Sequence, residues 1–123
     1  MLLFLDVISP LPEFLLIEDN KVVLERKIIK KNSERLSDYL FETYILIDKE
    51  LNLKEKLKKI AITIGPGSYT SLRVGAAFLS GLIISKSLLS YSFSIDDIFK
   101  FNMNINKNNN LGVFINSANN QKF

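Results

Sequence analysis

Twelve consecutive residues of this chain, Val74 to Ser85, carry no charge; they read Val-Gly-Ala-Ala-Phe-Leu-Ser-Gly-Leu-Ile-Ile-Ser and lie between Arg73 and Lys86. Their spacing suits a helix from Ser68 to about Lys86. The longest apolar stretch, Val74 to Ile84, is 11 residues, well short of the about 20 that a bilayer-spanning helix takes. A helix without a polar face must be covered on both sides, by its own domain or by something else. At 123 residues the chain is one domain with few layers to spare. We therefore expect this helix to meet a partner or a second copy.

The charge distribution sharpens the contrast. The total is 16 − 13 = +3, but residues 1–59 hold 11 basic and 11 acidic side chains, and residues 60–123 hold five and two. The first half has no basic stripe, so a direct RNA-binding module is disfavoured. Cysteine and histidine are both absent. That removes disulfides, thiol nucleophiles, histidine bases and Cys/His metal sites. The start, MLLFLDVISP, has no basic flank and is interrupted by Asp6, unlike a secretory signal. A cytoplasmic protein without a membrane span is expected.

Leu2–Val7 reads as a buried strand, and Phe14–Glu18 with Val22–Ile28 as a hairpin around Asp19-Asn20-Lys21. A helix capped by Asn32 or Ser33 follows. Its stripe is Leu36, Leu40, Thr43, Ile47 and Leu51, widened by Tyr39 and Tyr44. Lys54–Lys59 reads as a solvated turn, Ile60–Ile64 as a second buried strand and Leu88–Ser92 as a third core strand. Ser94-Ile95-Asp96-Asp97 has capping-box spacing and predicts a short helix to about Phe101. Six asparagines in 102–110 mark a linker, and Leu111–Ile115 reads as one more strand. The order implies an α/β fold, a mixed sheet with packed helices.

One segment carries chemistry. Gly65-Pro66-Gly67-Ser68-Tyr69-Thr70-Ser71-Leu72-Arg73-Val74-Gly75 joins a buried strand to the uncharged helix. Glycines before a helix N-terminus can present N–H groups to an anion. A phosphate-binding Walker loop, however, ends in Gly-Lys-Ser/Thr, and the dinucleotide fingerprint needs a third glycine where Thr70 stands. Ser68 has no histidine to activate it. The favoured reading is structural: Gly-Pro-Gly turns the chain, and Ser68 or Thr70 caps the helix. Arg73 near the first turn opposes the helix dipole, so it should meet a carboxylate, a carbonyl, a partner or solvent.

The segment resembles the signature of the TsaB (YeaZ) family, with Tyr69 at the aromatic position, Thr70, Leu72, Arg73 and Gly75 matching, and Ser71 in place of a glycine. Leu3-Phe4-Leu5-Asp6 is similar to the family's first strand, although Val7-Ile8 departs from its Asp-Thr-Ser ending. Asn32-Ser33-Glu34 sits where the family tends to have His-Ser. The resemblance implies the ribonuclease-H-like, actin-like fold. Residues 1–101 would be the first lobe with a mixed five-stranded sheet, 102–110 the linker, and 111–123 a remnant of the start of a second lobe.

The resemblance also implies a non-catalytic scaffold in threonylcarbamoyl modification of the transfer-RNA adenosine next to the anticodon. Such a scaffold pairs through first-lobe helices with a TsaD-like catalytic subunit, works with a TsaE-like ATPase, and contacts tRNA only indirectly. No catalytic residue, metal or cofactor is expected. The family motif and interface would comprise Gly65, Pro66, Gly67, Ser68, Tyr69, Thr70, Leu72, Arg73, Gly75, Ala76, Leu79, Leu82 and Ile83. The rivals are a degenerate ATP-binding enzyme of the same superfold and a self-associating homodimer with no part in tRNA modification. The enzyme would need a glycine-containing phosphate turn after the first-strand Asp6, and Val7 to Pro10 contain no glycine.

Overall fold

The computed structural model describes residues 1–29, 35–97 and 100. Strands β1 (Leu2–Asp6), β2 (Glu13–Glu18) and β3 (Lys21–Lys27) lead into α1 (Leu36–Leu51) and α2 (Leu53–Lys56). Strand β4 (Lys59–Thr63), α3 (Tyr69–Ser85) and β5 (Leu89–Phe93) follow. The sheet order is β3-β2-β1-β4-β5. β1–β2 and β2–β3 pair antiparallel, while β1–β4 and β4–β5 pair parallel. This is the expected five-stranded mixed sheet, a meander extended by two parallel strands. Parallel neighbours require crossovers, which here are the helical segments between β3 and β4 and between β4 and β5.

Alternation decides which side chains enter the core. Leu3 and Leu5 register with Leu16 and Phe14 on one side and with Ile60 and Ile62 on the other, and five of the six are fully buried while Ile62 keeps 7% exposure. The helices cover that face. α1 buries Tyr39, Leu40, Tyr44 and Ile47, and α3 buries Gly75 and Leu79. Phe14 of the sheet meets Tyr44 of α1 at 6.4 Å and Phe78 of α3 at 5.8 Å, and those two rings meet edge-on at 5.3 Å. Such aromatic pairs add about 0.5–1.5 kcal/mol each beyond their burial. Burial and the charge of Asp48 raise the Tyr44 hydroxyl above its ordinary pKa, so this ring stays neutral.

Several expectations hold and several are corrected. The hairpin turns on Asp19 and Asn20, both at positive φ, as a two-residue reverse turn demands. The β2–β3 pairing carries a bulge: Leu16 faces Leu24 and Ile17 faces Val22, leaving Val23 unpaired in the ladder. α1 starts behind Arg35, whose N–H donates to the Asp38 carboxylate at 3.3 Å, and the expected caps Asn32 and Ser33 lie outside the described residues.

The stretch read as a solvated turn contains a helical turn, because Leu53 and Leu57 anchor it in the core while its lysines stay in water. Asn52 makes the junction in the left-handed region, which asparagine tolerates. β5 is an edge strand and not a core strand: all five of its residues are exposed. The Ser94–Asp97 box forms as read, with the Asp97 carboxylate accepting from the Ser94 N–H and hydroxyl, and the Asp97 N–H donating to Ser94 Oγ. The linker 102–110 and the strand read at 111–115 lie outside the described residues, as does the end of the last helix.

Candidate functional site

Two places on this fold could act on something else. The first is the carboxyl end of the parallel strands β1 and β4, where open α/β sheets bind ligands. Asp6 ends β1 there. Its Oδ1 accepts from the Ile8 N–H at 2.9 Å, the Ser9 N–H at 3.2 Å and the Thr63 hydroxyl at 3.3 Å, while Oδ2 accepts from the Ser9 hydroxyl. Thr63 Oγ1 in turn accepts from the Val7 N–H at 3.4 Å. Both carboxylate oxygens are thus engaged in closing the β1–β2 loop and tying it to β4. The Gly-Pro-Gly turn, in the loop between β4 and α3, packs against that loop: a Cβ on Gly67 would come within 2.9 Å of Ile8 Cγ2. Gly67 is needed because Ile8, which is only 7% exposed, fills the space against the turn. An aliphatic side chain and a self-satisfied carboxylate make a closed end.

The second place is the outer side of α1 and α3. Ser68 caps α3, its hydroxyl accepting from the Ser71 N–H at 3.3 Å, so the structural reading of the glycine-rich segment holds locally. Gly65, buried at φ +120, supplies the turn before it. Pro66, Tyr69, Thr70, Arg73 and Ala76 are exposed; Leu72, Leu82 and Ile83 are half-buried against the core. Among the described residues Arg73 has no carboxylate or carbonyl partner. Its guanidinium stacks on the Tyr69 ring at 5.5 Å, a contact worth about 0.5–1 kcal/mol at an exposed site. The expected interface therefore divides. Gly75 and Leu79 point inward, with a Cβ on Gly75 only 2.9 Å from Ile62 Cδ1 and 3.1 Å from Val7 Cγ1. Gly75 permits close approach to the chain's own sheet, which corrects its reading as a contact for a partner helix.

Between the two helices runs a groove of about 530 Å³, lined by Ser37, Leu40 and Phe41 of α1 and Thr70, Arg73, Val74, Ala77 and Phe78 of α3. Phe41 is 57% exposed, and at the far end of α3 Ile84 is 87% exposed. Gly81 faces open space. Helical spacing in the sequence brings out the buried stripe of α1, not the wall that α1 gives this groove. The signal was there, since Ser37, Phe41 and Ile45 recur at i, i+4 and i+8 one position beside it. Among the described residues the groove is mostly apolar, its polar groups being the Ser37 and Thr70 hydroxyls and the Arg73 guanidinium, with no carboxylate in its lining.

The comparisons with known proteins bear on this arrangement. YeaZ from Pseudomonas aeruginosa superposes with a TM-score of 0.63 at 20% identity, over 76% of this chain and 43% of that one. The fold is that of YeaZ. A second structure from the same organism, described as an uncharacterized protein with similarity to peptidase YeaZ, superposes equally well, with a TM-score of 0.63 at 20% identity over 76% of this chain and 42% of that one. The chain spans less than half the length of these YeaZ structures. Residues 30–88 match the family model TsaD, tRNA N6-adenosine threonylcarbamoyltransferase. No curated protein matches. The TsaB (YeaZ) resemblance carried by the Gly65–Gly75 segment is borne out at the level of fold, and the TsaD match takes in β4 together with α1 and α3, the two helices that line the groove. Among the described residues no helix is long and apolar enough to cross a membrane.

Proposed function

We propose that this chain is a non-catalytic, TsaB-like scaffold, and that its α1–α3 face docks a TsaD-like subunit in threonylcarbamoyl modification of the tRNA adenosine next to the anticodon. The observation that carries the reading is the groove itself. α3 is uncharged for twelve residues, its inner side rests on the sheet, and among the described residues Ala77 lies exposed across the groove from Phe41, with Gly81 and Ile84 exposed farther along the helix. Small residues on an exposed helical face let a partner helix approach closely, and the flanking aliphatics supply area to bury. A TsaE-like ATPase would complete the assembly, and tRNA would be met through the catalytic subunit. The engaged Asp6 and the Ile8 side chain beside Gly67 support a chain that performs no chemistry of its own.

The test is co-purification with a TsaD-like subunit followed by a reconstituted modification assay. Ala77→Glu should abolish both, because a bulky charged side chain there must be buried in the contact, a loss of several kcal/mol that a pair with Arg73 one turn away does not repay. Glu55→Ala, on the exposed side of α2, should change neither. Gly75→Glu would be uninformative, since that position packs on Ile62 and Val7. A folded Ala77→Glu chain that still binds the subunit and supports modification sinks the assignment. Turnover by this chain alone would restore the enzyme reading.

A further inference from the structure

The two edges of the sheet differ. β3 is protected by Lys21, Glu25, Arg26 and Lys27 and by the bulge at Val23, the devices that keep an edge from pairing with another chain. β5 has neither charge, proline nor bulge: its sequence is Leu-Ser-Tyr-Ser-Phe, and all five residues are exposed. The Leu89 N–H donates to the Lys58 carbonyl at 3.1 Å, and the Phe93 carbonyl accepts from Ile64 at 2.9 Å. Leu89, Tyr91 and Phe93 therefore spend their backbone groups on β4, and by alternation those of Ser90 and Ser92 point to the other side, where no strand pairs with them among the described residues.

The strand is also complementary to itself. Read antiparallel about Tyr91, it sets Ser90 opposite Ser92, Leu89 opposite Phe93, and Tyr91 opposite its own copy. Both Ser90–Ser92 pairs would then be hydrogen-bonded pairs, giving roughly four inter-strand bonds, and the two Tyr91 residues would form the closer, non-hydrogen-bonded pair at the axis. Aromatic and aliphatic cross-strand pairs on the Leu89–Tyr91–Phe93 side add favourable contact, and no like charges meet. We propose that a second copy of this chain pairs with β5 about a two-fold axis at Tyr91, so that two sheets continue as one. The contact is isologous, as a closed two-fold dimer requires. It uses none of the groove residues, so it is independent of the docking proposed above.

The absence of cysteine makes a direct test possible with the full chain. Under mild oxidation Tyr91→Cys should form an intermolecular disulfide, because its Cβ lies at the axis within disulfide reach of its copy, whereas Ala77→Cys on α3 should not. Sedimentation equilibrium of the unmodified chain should show a concentration-dependent dimer. Ser92→Pro removes only an outward N–H, which an edge strand tolerates, and should weaken association at least tenfold. Should Ser92→Pro fail to fold by circular dichroism, Tyr91→Lys sets two cations at the axis and should give the same loss. A strict monomer at several hundred micromolar overturns the proposal. So does cross-linking at Ala77 with none at Tyr91, which would move self-association to the helical groove.

Discussion

Gly75 and Gly81 stand six residues apart in one helix, and nothing in their immediate sequence distinguishes them. The structure does, since Gly75 lies against Ile62 and Val7 while Gly81 has open space. Gly75→Val should therefore overpack the helix–sheet contact and destabilise the fold by about 1–3 kcal/mol. Gly81→Ala should stabilise it by about 0.5–1 kcal/mol, through helix propensity and a less flexible unfolded chain. Urea denaturation midpoints decide both; a Gly75→Val chain as stable as the parent would mean that Val7 and Ile62 give way freely. Asp97 makes a second prediction at this scale. Hydrogen bonds from Ser94 hold its carboxyl below the ordinary aspartate value, with Lys100 adding a smaller pull. A depressed carboxyl stabilises the folded form above its unfolded pKa, and that contribution is lost as pH falls through the folded one. In an NMR titration Asp97 should ionise below the usual range, and Ser94→Ala should raise it only in part, because the Ser94 backbone N–H, the larger cause, remains; an ordinary titration in the parent chain would remove the capping box from the account.

Between elements, the question is which contacts hold helices to sheet. Arg26 of β3 reaches Glu50 of α1 through two hydrogen bonds, at 2.9 and 3.3 Å, but both side chains are partly exposed. Exposed pairs contribute about 0–1 kcal/mol, so a double-mutant cycle on Arg26 and Glu50 should fall in that range. Phe14 has no exposed surface and joins both helices through Tyr44 and Phe78, so Phe14→Ala should cost about 3–5 kcal/mol in chemical denaturation. A larger loss at the ion pair than at Phe14 would reverse this ranking. The elements themselves were largely legible, because their signals are local. Asp19-Asn20 turns a hairpin, Ser68 and Ser94 cap, and β1 and β4 are short apolar runs. What was not legible depended on neighbours. β5 looks like a core strand by composition, and only the sheet order puts it at an edge. The 54–59 stretch looks like a solvated turn until Leu53 and Leu57 find the core. The groove's α1 wall became visible only when α3 was laid beside it.

For the whole molecule, the decisive matter is where a ligand could enter. The fold offers the carboxyl ends of β1 and β4, yet there the chain is bound to itself through Asp6, Thr63 and the Ile8–Gly67 contact. The sequence hinted at this closure through the missing glycine after Asp6, but it could not show that Ile8 folds over the turn. If Asp6 is a structural tie, its removal should be read in stability. Asp6→Ala strands the buried Thr63 hydroxyl and two loop N–H groups, and losing such partners costs about 1–3 kcal/mol. Calorimetry with Mg-ATP should give no saturable isotherm for the parent chain, and none for Asp6→Ala. Trimming Ile8 to Ala should destabilise the loop without creating nucleotide affinity, because the carboxylate remains committed to Ile8, Ser9 and Thr63. A saturable isotherm in the parent, abolished by Asp6→Ala while the denaturation midpoint stays unchanged, would make Asp6 a ligand-binding group. That result would overturn the scaffold reading at the sheet end where open α/β folds bind their ligands.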